Sequence, residues 1–589
     1  MLTPGFRKTS QYLMPAVEEH APLGSYNLYP VFEIGEGSVF RKVESLANAI
    51  SGRAAIIIDG YTGVFFDYLK SQLEEEFRKS GTGYSWISAS FFMKSPEEIE
   101  ELKILSCGAG DPLFGTKTTL SISDIFDLDA VEQFRKNPPE VPFIIIGPGA
   151  SFVFPDGFHV WCDLPKNEIQ YRSRAGSVTN LGERYPTDPR EMYKRYYFFD
   201  WVILNRHKEK CSRIIDILVD TQRPDDITWM YGSVFREKIS ELSASAFRVR
   251  PWFEPGSWGG TWLKSKIKGL PQDVPNYAWS FELITPENGI IFSSSGLMFE
   301  FSFDFLMYLE GRSVLGSSFE RFGTEFPIRF DYLDTVEGGN LSVQCHPRED
   351  YIKTEFGENF AQDETYYIAH SAEDSGVYLG LTENCDPKLF FNELKESSIA
   401  GTSVDIRSYV QFHRSEKNDL FVIPRGTVHG SGANNLVLEI SSTPYIFTFK
   451  MYDWLRPDLD GKPRQLNIAR AEENLNPSYR GELIRNSFIS RPEYVLKDED
   501  REIERLSTHD SMFFEVMRYR FSKEVVIRTD GKCLVLNLIE GETVLAETGN
   551  GRKLTVNCSE TFVIPSAAVS ARLINLSDKQ ATIVAASVK

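Results

Sequence analysis

Gln344 and His346 stand two apart in the short apolar stretch LSVQCHPRED. Alternate side chains of a strand share a face, so these two project together and Cys345 projects the other way. Glu364 opens the apolar run of QDETYYIAH, and His429 closes NDLFVIPRGTVHG just after a P-x-G turn. Taken singly, these residues read as a hydrogen-bonded core pair, a strand-end acid and a turn histidine. Taken together, two imidazoles, a carboxylate and an amide form an N/O ligand set suited to Zn2+ or another divalent first-row metal. A neutral glutamine in place of a second carboxylate leaves the ion more positive. It can then polarise substrate oxygens as a Lewis acid.

Positioning these residues requires short strands, and the chain reads as multidomain. Its 589 residues exceed one domain, and 42% hydrophobic and 13% aromatic content can fill several cores. The net charge of −19 argues against a nucleic-acid groove or an anionic membrane surface. Seven scattered cysteines without a C-x-x-C fit reduced thiols, and no stretch reads as a membrane span or secretory leader, so a cytoplasmic location is expected. After a lead segment (1–50), residues 51–240 alternate buried strands (AAIIIDG, VPFIIIGPG, HVWCDLP) with a charged helix, FFDYLKSQLEEEFRKS. That pattern predicts an α/β domain with a parallel sheet. Residues 245–475 hold short strands and turns around one helical insert, DPKLFFNELKESS, and 490–589 form a smaller all-β unit. LFVIPRGTVHG and TFVIPSAAVSA align, which suggests a degenerate duplication.

Q-x-H-P, then Glu, then P-x-G-T-V-H resembles the metal site of class I mannose-6-phosphate isomerases, the zinc-dependent cupin enzymes, in their short bacterial form. EPGSWGGTWL, FPIRFDYLDTVEGGNLSVQCHP and FKMYDWLRPDLDGKPRQLNI resemble further motifs of that family, and the similarity spans roughly 248–589. The resemblance implies two cupin (jelly-roll) domains, a metal held by Gln344, His346, Glu364 and His429, and catalytic roles for Glu439 and Arg456. It also implies substrate contacts from Trp258, Lys450 and Arg464. The implied reaction is aldose–ketose isomerisation of a sugar phosphate through an enediolate, with the base unassigned. Without the resemblance, Trp258 reads as core packing and Glu439 as a strand-edge charge. The C-terminal unit has no histidine after His509, so no metal is expected there.

Several positions depart from the family pattern. Asp331 and Gln362 stand where the family carries lysines, Tyr277 replaces a glutamate, and Lys450 replaces an arginine. Lost cations weaken a phosphate site, although Arg329 shares the strand face of Asp331 and restores one. Two readings stand: a sugar-phosphate isomerase, with the sugar and its phosphorylation open, and a non-catalytic sugar-binding protein that keeps the metal pocket.

The front region poses a separate question. AAIIIDGYTGVFFDYL has the strand, glycine turn and helix of a P-loop, and DLPKNEIQYRSRAG vaguely resembles the lid of uridine-kinase-like enzymes. Phe66 and Asp67 occupy the places of the phosphate-binding lysine and the Mg²⁺-binding hydroxyl, so the loop is degenerate. The alternative is an unrelated α/β domain. Arg172 and Arg174 are expected on a solvated helix face, and the front domain is a candidate surface for homo-oligomer formation.

Overall fold

The computed structural model describes residues 5–19, 21–108 and 110–589. Residues 1–4 and position 20 of the expected lead segment lie outside it. The rest of that segment is not separate from the domains behind it. Val31–Glu33 pairs with the hairpin Gly289–Ser294/Leu297–Ser302, and Phe40–Arg41 joins the front sheet.

That front sheet runs Phe40–Arg41, Thr228–Tyr231, Ile217–Asp220, Phe158–Asp163, Ala55–Gly60, Phe143–Ile146, Ser85–Ser88. The five strands from Ile217–Asp220 to Ser85–Ser88 are parallel, as the alternation of strands and helices requires. The helix Phe66–Ser80 buries Leu69, Leu73 and Phe77, one residue per turn, and ends at Gly81 with φ of 73°, where a side chain would be strained.

The helix Lys166–Arg174 overturns the solvated-face expectation, since it is almost wholly buried. Arg172 is fully buried and donates to the carbonyls of Gly63 (2.7 Å), Thr221 (2.9 Å) and Gln222 (3.1 Å), with its guanidinium 4.2 Å from the Phe65 ring centroid. Arg174 pairs with Glu254 at 2.7 Å. The carbonyls that accept from Arg172 come from distant turns, and the pattern KNEIQYRSR carries no sign of them.

Two antiparallel double sheets of the cupin kind follow. The first packs a six-stranded sheet against a five-stranded one. The six strands run Leu420–Ile423, Glu364–Ser371, Asn435–Ser442, Ile328–Asp334, Trp279–Leu283, Trp252–Glu254, and the five run Val410–Arg414, Gly376–Leu381, His429–Ser431, Val343–Cys345, Phe449–Tyr452. The second begins with Glu493–Lys497 and repeats this order strand for strand, apart from one edge strand of the smaller sheet. Leu420–Ile423 corresponds to Thr561–Ile564, so Ser570 in the second barrel stands where His429 stands in the first. The helical insert forms Pro387–Ala400. Tyr479, Ile484 and Phe488, beyond the expected end of the first barrel, pack into its apolar interior.

Candidate metal centre

Strand register gathers the site. On the smaller sheet Gln344 lies directly between His429 and Lys450. On the larger sheet Asp331 lies beside Glu439, and Ser441 lies between Arg329 and Glu364. Directly opposite residues share a face, so both rows point into the barrel. Val437, Leu333, Tyr366, Val377 and Leu379 fill the other half of the interior with apolar contacts.

His346 Nε2 lies 2.9 Å from Glu364 Oε1, and His429 Nε2 lies 3.3 Å from Glu364 Oε2. The Gln344 amide is 3.3 Å from His429 Nε2, and turning it over presents its oxygen instead. His346, Glu364 and His429 are all under 2% exposed. His346 Nδ1 faces the Phe447 carbonyl at 3.1 Å, and His429 Nδ1 faces the Thr427 carbonyl at 2.9 Å. A carbonyl only accepts, so each Nδ1 carries the proton and each Nε2 lone pair points inward. His346 Nε2 and Glu364 Oε2 are buried without a hydrogen-bond partner. Lone pairs and a carboxylate facing one another are satisfied by positive charge between them, supplied by a metal ion or by protons on the Nε2 atoms. Ligands about 2.1 Å from a tetrahedral ion sit about 3.4 Å apart, close to the spacings here. The residues therefore fit a first-row divalent ion.

Charge around the cluster points the same way. Arg329 contacts Glu439, lies 3.4 Å from Asp331 and 3.6 Å from Glu364. One guanidinium thus faces three buried carboxyls. Burial, resisted by Arg329 and reinforced by Glu364, pushes Asp331 up to about 6. Burial and the neighbouring Asp331 and Glu364 carry Glu439 well above the ordinary carboxylate range, despite Arg329. Burial pushes Glu364 up, but positive charge at the His346 and His429 side of the carboxyl overrules it and holds Glu364 well below its usual range, so the site calls for a cation between the rings and the carboxylate. Gln362, in place of a family lysine, donates to Glu364.

A second group, Asp59, His207 and Cys211, has ligand atoms as close together but different chemistry. Asp59 accepts from the backbone N–H groups of Gly60, Gly149 and Ser151 and lies 2.7 Å from His207 Nε2. Burial pulls the His207 pKa down, yet Asp59 raises it to about 10, so the ring is a cation. Asp59 already accepts three backbone N–H groups besides facing His207, which marks it as a structural hub of the sheet.

The other expected site residues are spread more widely. Lys450 stands beside Gln344, and no hydrogen bond of its amine is found among the described residues. Burial, then Arg464, lower its pKa to about 8. Arg456 and Arg464 do not reach the metal cluster, because both bind Asp453, at 2.7 and 2.8 Å. Arg456 also donates to the Asn340 carbonyl. Trp258 packs in the apolar half of the barrel against Trp279, with centroids 4.7 Å apart. Tyr277 donates to the Pro271 carbonyl and faces no ligand. Arg329 is the cation that alternation along R-F-D places on the face of Asp331.

A family described as a domain of unknown function, DUF8485, matches residues 42–244. Mannose-6-phosphate isomerase ManA of Bacillus subtilis is 25% identical over 293 residues, covering 50% of this chain and 85% of that protein. About half of the chain is homologous to mannose-6-phosphate isomerases. The solved mannose 6-phosphate isomerase of B. subtilis aligns with a TM-score of 0.46 at 20% identity, over 58% of this chain and 99% of that one. A mannose 6-phosphate isomerase solved with bound zinc and yttrium aligns with a TM-score of 0.43 at 11% identity, over 58% and 99%.

Proposed function

We propose that the chain is a metal-dependent aldose–ketose isomerase acting on a sugar phosphate, with mannose 6-phosphate to fructose 6-phosphate as the reference reaction. The observation that carries this reading is the pair of tautomer-locked imidazoles whose bare Nε2 atoms meet Glu364. Gln344, His346, Glu364 and His429 would hold the ion, with Zn2+ favoured by the donor set. When bound, the ion supplies Lewis-acid polarisation of substrate oxygens.

The remaining chemistry belongs to the protein. Isomerisation needs a base to take the proton alpha to the carbonyl and return it at the neighbouring carbon. Lys450 is suited to this, because an amine with pKa about 8 is partly unprotonated near neutral pH and stands in the ligand row. Glu439, tied to Arg329, is suited to hold a substrate hydroxyl. Arg464, locked on Asp453, contributes through the field it sets around Lys450, and Arg456 braces the same carboxylate. Trp258 shapes the apolar wall.

An unphosphorylated or different sugar is the second reading, favoured by Asp331 and Gln362 in place of lysines. A non-catalytic sugar-binding protein is the third. The front domain is proposed as a degenerate P-loop fold that does not use ATP, since Phe66 and Asp67 line the cavity at the Gly63 turn where a phosphate-binding lysine and a Mg²⁺-binding hydroxyl are needed. Steady-state assay with mannose 6-phosphate, with and without added zinc, tests the main reading. Zinc-dependent turnover lost in His429→Ala supports it. Zinc binding without turnover of either mannose 6-phosphate or mannose supports the non-catalytic reading.

A further inference from the structure

Helices of the front domain close the metal-bearing end of the first barrel. Barrel residues 324–326, 358–360 and 443–445 lead directly into or out of the strands that carry Arg329, Glu364 and Ser441. They are stitched together there. The Ser442 N–H donates to the Asp363 carbonyl and the Thr443 N–H to the Pro327 carbonyl, both at 3.0 Å. Tyr197, Trp201 and Glu209 face them from the front domain, and a cavity of about 350 Å³ lies between. That size falls within the roughly 300–1,000 Å³ of small-ligand sites, and domain interfaces are where such sites concentrate. Phe447, whose carbonyl fixes His346, packs on Tyr197 and Phe198 with centroids 5.9 and 6.2 Å apart. The cavity therefore abuts the layer of chain that orients the metal ligands.

Its lining selects against phosphate. Two of its cations are already matched, Lys117 by Glu358 at 2.7 Å and Lys166 by Asp304 at 3.0 Å. Glu209 and Glu325 add two carboxylates against Arg206 alone. A dianion placed there meets net repulsion. A polyol meets the opposite: carboxylate oxygens accept from hydroxyls, and the rings of Tyr197 and Trp201 take C–H faces. The Trp201 indole N–H is buried, in a residue 4% exposed, and has no acceptor. A ligand hydroxyl supplies one once the indole turns its shielded N–H toward the cavity.

We propose that this cavity binds the hydroxyl-bearing part of a sugar and not its phosphate, at a site shared by the front domain and the rim of the barrel. The ligand class rests on the sugar-isomerase reading above. Trp201→Phe keeps the ring and removes the N–H, and Glu209→Gln alters an exposed side chain. Calorimetric titration of the zinc-loaded full-length protein with mannose and with mannose 6-phosphate tests the assignment, with zinc stoichiometry measured alongside. Trp201→Phe, which deletes a donor, is expected to weaken both sugars about tenfold, as loss of one hydrogen bond to a ligand does, and Glu209→Gln, which keeps an acceptor oxygen but loses its charge, to weaken both by a smaller factor, with zinc content unchanged in each. Unaltered affinity for both sugars in both variants overturns the proposal. Weakening confined to mannose 6-phosphate also overturns it, because the cavity is then a phosphate site. Failure of the wild type to bind either sugar overturns it together with the isomerase reading. Cavity-dependent binding without turnover overturns the isomerase reading and leaves the cavity assignment standing.

Discussion

Replacing Lys450 with methionine is expected to stabilise the metal-free fold while removing turnover. Lys450 lies directly opposite Gln344, and burial and Arg464 lower its amine from 10.5 to about 8. One pKa unit corresponds to about 1.4 kcal/mol. A lysine protonated at neutral pH therefore weakens the fold by roughly 3 kcal/mol at most, and by about 2 kcal/mol once residual contact with water is allowed for. The direction with pH follows from proton binding. Between about 8 and 10.5 the unfolded chain holds the proton and the folded one releases it, so wild-type stability rises with pH across that window. Methionine, which binds no proton, should be ahead by about 2 kcal/mol near pH 7 and level near pH 10.5. Urea denaturation of chelator-treated protein at those two pH values measures the difference. In the same variant kcat/KM should fall by about 10²–10⁴, the usual contribution of a general base. In the wild type it should rise as pH passes about 8. A variant less stable than wild type near pH 7, or a gap that does not narrow with pH, would falsify the placement of this amine in a desolvated, cationic setting.

Other expectations follow from particular contacts. Arg172→Met should cost about 3 kcal/mol in chemical denaturation, because the Gly63, Thr221 and Gln222 carbonyls lose their donor inside the protein; a change under about 0.5 kcal/mol contradicts a structural role for this buried guanidinium. Mg·ATP titrated into the full chain should give no specific heat, and micromolar affinity lost on changing Asp67 would reverse the reading of the front loop. Gln362→Lys places a cation beside Glu364 and should lower KM for mannose 6-phosphate relative to mannose if a weakened phosphate site limits the wild type. An unchanged ratio shows that phosphate is handled elsewhere.

The convergence of Gln344, His346, Glu364 and His429 was legible because strand alternation fixes which of their side chains face inward. Gln344 and His346 converge as their spacing requires, and Glu364 and His429 meet them. The helix Phe66–Ser80 was legible for a similar local reason, since Leu69, Leu73 and Phe77 recur at the helical period. Arg172 was not, because a charged residue in a polar helix reads as solvated unless its acceptors are visible, and these come from turns distant in sequence. Arg456 and Arg464 carried the right charge for a substrate, but Asp453 is their partner, and sequence order does not reveal which of several nearby acids wins. The placement of the front domain against the metal end of the barrel rests on contacts between separate domains, such as Tyr197 on Phe447, and no local pattern encodes these.

Gln344, His346, Glu364 and His429 of the first barrel are proposed to hold one divalent ion. Zinc titration of the chelated protein, followed by elemental analysis, tests it most directly. One tightly bound equivalent per chain is expected in the wild type, and none in His429→Ala or Glu364→Gln, with the second barrel contributing nothing because Ser570 stands where His429 does in the first. Wild-type protein that retains no zinc, or the same stoichiometry in both variants, would rule out a four-ligand ion site in the first barrel.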